Sequence, residues 1–309
     1  MKMIKNLLAI VGLVSISGLF IFAVQSPVDK DMKPEQKLDN GYNIYALKIP
    51  DELNFADEPL PLSIPDVYER MDRELLVNTY WQSNALLMFK RAQKYFPVIE
   101  PILKKHGIPD DFKYLAVIES GLTNAVSPAG ARGIWQIMPA TGKENGLEIN
   151  DNVDERYHLE KSTEVACKYL LQSKRSLGSW TLAAAAYNAG NAGISRRLKE
   201  QNVNDYYDLL LGEETGRYMF RIVALKEIMT NPKVYGFNFE ENDLYGNIPT
   251  FNVVVDKEIP DFTAFAQEYG INYKVLKIHN PWLRETRLNN KTKKEYVIEI
   301  PEKGHYSNN

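Results

Sequence analysis

The chain has 309 residues, 44% hydrophobic and 25% charged, which suits one fair-sized domain plus a smaller one and excludes disorder throughout. A net charge of −3 gives no electrostatic reason to expect a nucleic-acid partner. Cys167 is the only cysteine, so an intramolecular disulfide and a cysteine-based metal site are both excluded.

At the N-terminus, Lys2 and Lys5 precede an almost uninterrupted apolar run from Leu7 to Val24, followed by Gln25-Ser26-Pro27. Residues 1–25 therefore read as a signal peptide or an N-terminal membrane anchor. The length of the run and the poor fit of Ala23-Val24-Gln25 to a cleavage site favour the anchor, with the lysines inside. In either case the remainder is exported. Residues 26–65, rich in Pro, Asp, Glu and Lys, read as a linker.

Residues 66–245 read as a mainly α-helical domain. Helical apolar spacing marks Leu86–Tyr95, Val98–Lys105, Asp110–Glu119, Lys161–Ser173, Leu182–Tyr187 and Glu214–Met229. Cys167 sits in the fourth of these with Val165, Ala166 and Leu170, and reads as a buried, inert thiol. His106, His158, His279 and His305 are scattered without ligand spacing, so no metal is expected. After Pro232 the character changes. Residues 246–303 predict strand, helix, helix, strand: Phe251 to Val255, Asp261–Tyr269, Tyr273–His279 and Ile298 to Pro301. This is a small α+β (βααβ) module.

One residue breaks its local pattern. Pro109 and the aspartates Asp110 and Asp111 favour a helix start, and Tyr114 to Ile118 are apolar on every side, so this helix belongs inside. Phe112, Leu115, Ala116 and Glu119 share one face at i, i+3, i+4 and i+7. A glutamate thus continues an apolar stripe. It reads either as a helix-end or ion-paired carboxylate, or as a partly desolvated acid held protonated near neutral pH. The helix alone leaves both open.

Three further segments bear on the choice. Residues 127–142 (SPAGARGIWQIMPATG) combine glycines that allow close backbone approach with Trp135, Gln136 and Met138. Residues 183–190 (AAAAYNAG) deliver Tyr187 and Asn188 to a helix end, and residues 214–221 (ETGRYMFR) carry Tyr218 on a stripe with Ile222 and Leu225. The ordered series ES, GARGIWQIMPATG, AAYNAG and ETGRYMFRI resembles the catalytic domain of lytic transglycosylases related to goose-type lysozyme, and most of all their membrane-bound D-type branch.

That resemblance implies a lysozyme-like catalytic domain acting on peptidoglycan glycan strands without a cofactor. It implies Glu119 as the sole catalytic acid/base, with Ser120 beside the reacting sugar. Gln136 and Met138 are implied to line the cleft, with Tyr187, Asn188 and Tyr218 as further substrate-binding residues. Trp135 and Tyr218 also read as core residues, and Arg132 as a salt-bridge partner. Ordinary glycosidases use two carboxylates. Asp110 and Asp111 lie roughly 12 Å up the same helix by its rise, too far to act with Glu119. Asp151, Asp154 and Glu155 have no spacing that demands a place in the cleft. The implied reaction splits the β-1,4 bond between MurNAc and GlcNAc and closes a 1,6-anhydro ring. Rival readings are a hydrolytic muramidase and a non-catalytic peptidoglycan-binding protein. The C-terminal module resembles LysM, although Asp256 to Pro260 replace the usual Gly-Asp-Thr opening. The N-terminal segment places the chain in the cell envelope, exported to the periplasm, either anchored to the membrane by that segment or freed of it as a cleaved signal.

Overall fold

The computed structural model describes residues 44–306. The expected N-terminal signal or anchor lies outside the described residues. The chain divides into two compact units, one ending at Ala46 and one beginning at Leu47, and every described helix and strand belongs to the second. Among the described residues no helix is long and apolar enough to cross a membrane.

The stretch expected as a linker ends in structure. Asn54–Phe55 (β1) and Glu58–Pro59 (β2) form a hairpin that turns through Ala56 and Asp57, both with positive φ. That is the backbone a two-residue primed turn requires. Ile49, Leu53, Phe55 and Leu60 are buried in the helical core, and the Phe55 ring meets Phe112 edge-on at 4.9 Å. Burial of this apolar group outweighs a polar composition that suggested a tether.

Eight α-helices then build the larger layer: α1 (Pro65–Tyr80), α2 (Gln82–Lys105), α3 (Lys113–Ser120), α4 (Pro139–Glu144), α5 (Leu159–Leu177), α6 (Trp180–Ala189), α7 (Asn191–Gln201) and α8 (Glu213–Thr230). The mainly α expectation holds. Two predicted helices, Leu86–Tyr95 and Val98–Lys105, are one. Pro97 and Pro101 sit inside α2, four residues apart on its solvent face, where the lost hydrogen bonds fall on wettable carbonyls. Its other face buries Ala85, Phe89, Ala92, Ile99 and Leu103 and holds the helix together.

Helix α3 is enclosed on all sides: Tyr114, Leu115, Ala116, Val117 and Ile118 are all buried. A 3-10 turn at Asp110–Phe112 leads into it, and it stops at Gly121, whose φ of 59° ends the helix in the left-handed conformation. Helix α8 packs against both α1 and α3. Glu74 of α1, 1% exposed, pairs with Arg217 of α8 at 2.7 Å and with Arg73, a charge bridge between helices. Cys167 is fully buried, and burial pushes its thiol up to about 12.

The C-terminal part is the expected βααβ: β3 (Thr250–Val255), α9 (Phe262–Glu268), α10 (Tyr273–His279) and β4 (Tyr296–Pro301), with β3 and β4 antiparallel from Thr250↔Pro301 to Val255↔Tyr296. Its core of Val255, Ile259, Phe262, Leu276, Ile298 and Ile300 also takes in Val153 and Tyr157 from the helical part.

Candidate active site

The site is built around the last turn of α3. Ser120, Gly121 and Leu122 turn the chain sharply, the last two with positive φ, and Arg91 donates to the Gly121 carbonyl at 3.0 Å. Glu119 is therefore presented at the end of an interior helix rather than along it. It is partly buried, and its Oε1 accepts a 2.5 Å hydrogen bond from the Tyr218 hydroxyl of α8. Burial raises the Glu119 carboxyl above the usual carboxylate range; the Tyr218 bond and the Arg221 charge pull the other way, and Glu214 adds to the rise. A place in the last helical turn, where the exposed carbonyls carry partial negative charge, acts in the same upward direction.

Two tyrosines face this carboxyl. Tyr218 is 2% exposed, and burial together with the Glu119 charge raises its hydroxyl well above 10, so it stays a proton donor. The sequence left Tyr218 between core and cleft; its ring is buried and its hydroxyl reaches Glu119. Tyr187, at the end of α6, is likewise raised by burial and by Glu119, and its hydroxyl donates to the Trp135 carbonyl at 2.7 Å.

The loop 130–137 lies beside these residues, its Ile134 carbonyl accepting from Ser120 and its Trp135 carbonyl from Tyr187. Arg156, 3% exposed, fastens both its ends, donating to the carbonyls of Gly130 at 2.8 Å and Ile137 at 3.2 Å. Asp154 balances that charge through two bonds of 2.8 and 2.7 Å. Gly133, with φ of 80°, passes so close to the Arg156 carbonyl that a Cβ would lie 2.1 Å from it. Only glycine fits there. Trp135 is fully buried and donates to Thr163 at 2.8 Å, so it is a core residue.

The expected contacts are only partly brought together. Ser120 donates to the carbonyls of Ile134 at 2.8 Å and Ala116 at 3.3 Å, binding α3 to the loop. Gln136 adopts a φ of 47° and turns its amide nitrogen onto the carbonyls of Gly133 and Ala125, at 2.7 and 3.1 Å. Asn188 joins α6 to α8, donating to Glu214 at 3.2 Å and accepting from Thr215 at 2.7 Å. Met138 is exposed at the head of α4. Arg132 pairs with Asp154 at 3.3 Å, the salt bridge expected of it. Asp154 and Glu155 are committed to ion pairs with Arg156, Arg132, Lys161 and Lys294.

Sequence reading passed over Arg221 and Arg156. Arg221 lies one turn beyond Tyr218, donates to the Ile118 carbonyl at 3.2 Å and places its charge toward Glu119. Its i+3 spacing from Tyr218 was the available signal. Arg156 has no comparable signal, because its partners come from a distant loop. A depression of about 370 Å³ at the start of α8 is lined by Glu213, Glu214, Arg217 and Arg221. Among the described residues no group of three or more His, Cys, Asp or Glu could hold a metal ion.

Residues 96–210 match the Transglycosylase SLT domain family, and residues 251–304 match the soluble lytic transglycosylase C-terminal LysM-like domain. The membrane-bound lytic murein transglycosylase D of Escherichia coli K12 is 31% identical over 198 residues, 61% of this chain, and that of Escherichia coli O6:H1 matches equally. The chain spans 43% of the length of these relatives. A solved structure of an inactive mutant of lytic transglycosylase Slt from Pseudomonas aeruginosa is 20% identical, with a TM-score of 0.39, over 50% of this chain and 26% of that one. The chain thus carries a transglycosylase SLT domain around Glu119, followed by a LysM-like domain of the soluble lytic transglycosylase type.

Proposed function

We propose that this chain is a peptidoglycan lytic transglycosylase that cleaves the β-1,4 bond between MurNAc and GlcNAc. The observation that carries this reading is a desolvated Glu119, with its carboxyl raised and bonded to a neutral tyrosine, at the end of an interior helix. An acid held protonated donates its proton to the bridging oxygen as the glycosidic bond breaks. The substrate's acetamido group stabilises the sugar cation. Glu119, now a carboxylate, takes the proton of the C6 hydroxyl as that oxygen closes onto C1. The 1,6-anhydro product forms without water, so the reaction is a lyase step. Ser120, Gln136, Met138, Tyr187, Asn188 and Tyr218 are proposed to shape the cleft. For Ser120, Gln136 and Asn188, hydrogen bonds to the loop and between helices favour bracing the walls. Residues 66–245 are proposed as the catalytic domain and 246–303 as the LysM-like module, with residues 1–25 carrying the chain into the envelope as signal or membrane anchor.

Mass spectrometry of digested peptidoglycan tests the chemistry: anhydro ends, lighter by one water than reducing ends, are the expected product. A hydrolytic muramidase needs a base for water, and Glu214, whose charge reaches Glu119, is the candidate. Reducing ends that vanish in Glu214→Gln would establish that reading instead.

A further inference from the structure

A cavity of about 560 Å³ lies between the SLT domain and the LysM-like module, apart from the depression at α8. Its walls come from α2, from the start of α5, from β3 and β4 and from the end of α10. The charges there are mixed and set in a partly apolar frame: Lys94, His158, Glu160, His279 and Glu299 line it with Trp282, as do Lys161, paired with Glu155, and the exposed Glu295.

Most of these groups have partners. His158 pairs with Glu160 at 3.0 Å, and the His279 ring bonds the Tyr306 hydroxyl at 2.9 Å. Glu299 differs. Its backbone is clamped by the fully buried Asn280, which donates to its carbonyl at 2.7 Å and accepts from its amide at 2.9 Å. Its carboxylate makes no hydrogen bond or ion pair among the described residues. Burial raises that carboxyl, Glu160 adds to the rise, and the His158 and Lys94 charges oppose it. A half-buried carboxylate without a hydrogen-bonded partner, on a backbone held in place, is costly unless a ligand supplies the cation. Lys94 lies in the same cavity, so an anion is accommodated beside it.

The inner wall reaches the candidate active site. Ile134 and Asn124 line the cavity, and the Ile134 carbonyl accepts the hydrogen bond from Ser120, the neighbour of Glu119. The cavity and the candidate active site thus share this stretch of wall.

We propose that this cavity is a second substrate site, which binds a zwitterionic amino-acid end of the peptide carried by peptidoglycan strands, its ammonium on Glu299 and its carboxylate on Lys94. This rests on the reading of the chain as a peptidoglycan enzyme. A diamino acid in such a peptide carries an ammonium and a carboxylate together, the two charges that Glu299 and Lys94 complement, whereas a bare glycan carries neither.

Isothermal titration of the full chain with the free tripeptide L-Ala-γ-D-Glu-meso-diaminopimelate, and separately with a chitin tetrasaccharide, tests this. Tripeptide binding is expected to weaken about tenfold or more in Glu299→Gln and in Lys94→Met, since each loses one charge-assisted bond. Tetrasaccharide binding is expected to be unaltered in both variants. Thermal unfolding of Glu299→Gln checks folding, and no loss is expected from removing an unpaired charge. Absence of tripeptide binding, or binding indifferent to both substitutions, overturns the proposal. Glu119→Gln is expected to keep tripeptide binding. Continued cleavage by that variant would reject the catalytic assignment while the binding result stands or falls on its own.

Discussion

At the scale of the residue, Glu119 stands in conflict with the stability of its own domain. Its carboxyl is raised by burial, so the folded protein holds its proton more tightly than the unfolded chain. The associated stability is complete below the unfolded value near 4.5 and declines as pH rises towards the folded value. Glu119→Gln retains the shape and can still accept from Tyr218, so it is expected to abolish cleavage and to raise the unfolding midpoint at neutral pH. For a domain of this size each kcal/mol relieved gives about 2–4 °C. Calorimetry at pH 4 and pH 7 checks it: a gain at pH 7 that disappears at pH 4 is the expected pattern. Tyr218 sets the pH range. Its hydrogen bond favours the carboxylate, so Tyr218→Phe raises the Glu119 carboxyl further and should move the alkaline limb of the rate profile to higher pH. An unmoved limb would show that another group controls it. Of these residues the sequence exposed Glu119 through a broken apolar stripe. The destinations of Ser120 and Gln136 were not legible, since both bond to backbone atoms that only the folded loop brings near.

At the scale of the element, short pieces hold the long ones in place. Glu58 in the hairpin accepts from the Trp180 and Thr181 amides at 2.7 and 2.8 Å and from the Thr181 hydroxyl at 2.7 Å, so it caps α6 from a distance of more than a hundred residues. Burial pushes its carboxyl up, and the bonds from Thr181, Trp180 and Lys174 outweigh that to leave it lowered. A lowered carboxyl contributes stability above its unfolded value near 4.5, lost as pH falls through the folded value. Glu58→Ala should therefore cost about 1–2 kcal/mol at neutral pH, as a lost helix cap does, and much less at pH 3. Denaturant unfolding at the two pH values measures this, and an equal loss at both would mean the charge is idle. The hairpin was hidden in the sequence because Ala56-Asp57 lacks the Asn-Gly or Asp-Gly signature of a primed turn. The continuous α2 was hidden because prolines on a solvent face read as a break, while the packing that overrides them is tertiary. By contrast α10, β3 and β4 were legible almost to the residue, because their periodicity and end signals agree.

At the scale of the whole molecule, the LysM-like module is part of the wall that supports the site. Val153 pairs with Leu283 as an isolated bridge, Asp154 donates its amide to the Trp282 carbonyl at 2.9 Å, and Lys294 bonds Glu148 at 2.6 Å. Arg284 lies 4.3 Å over the Tyr157 ring. These contacts fall on 148–157, the segment whose Arg156 clamps the 130–137 loop that Ser120, the neighbour of Glu119, bonds. An isolated module would lose Val153 and Tyr157 from its core, and an isolated SLT domain would expose both. The two should therefore unfold together. Calorimetry of the full chain is expected to show one transition. Tyr157→Ala, a change within the SLT domain, removes a buried ring and should cost about 3–5 kcal/mol, as large aromatic truncations do. Hydrogen exchange locates the effect: amides of β3 and β4 should lose protection together with those of α5. If Tyr157→Ala loosened α5 while the strands kept their protection, the module would be a separately stable appendage, and the cavity between the two parts would lose the rigid frame that the second substrate site needs.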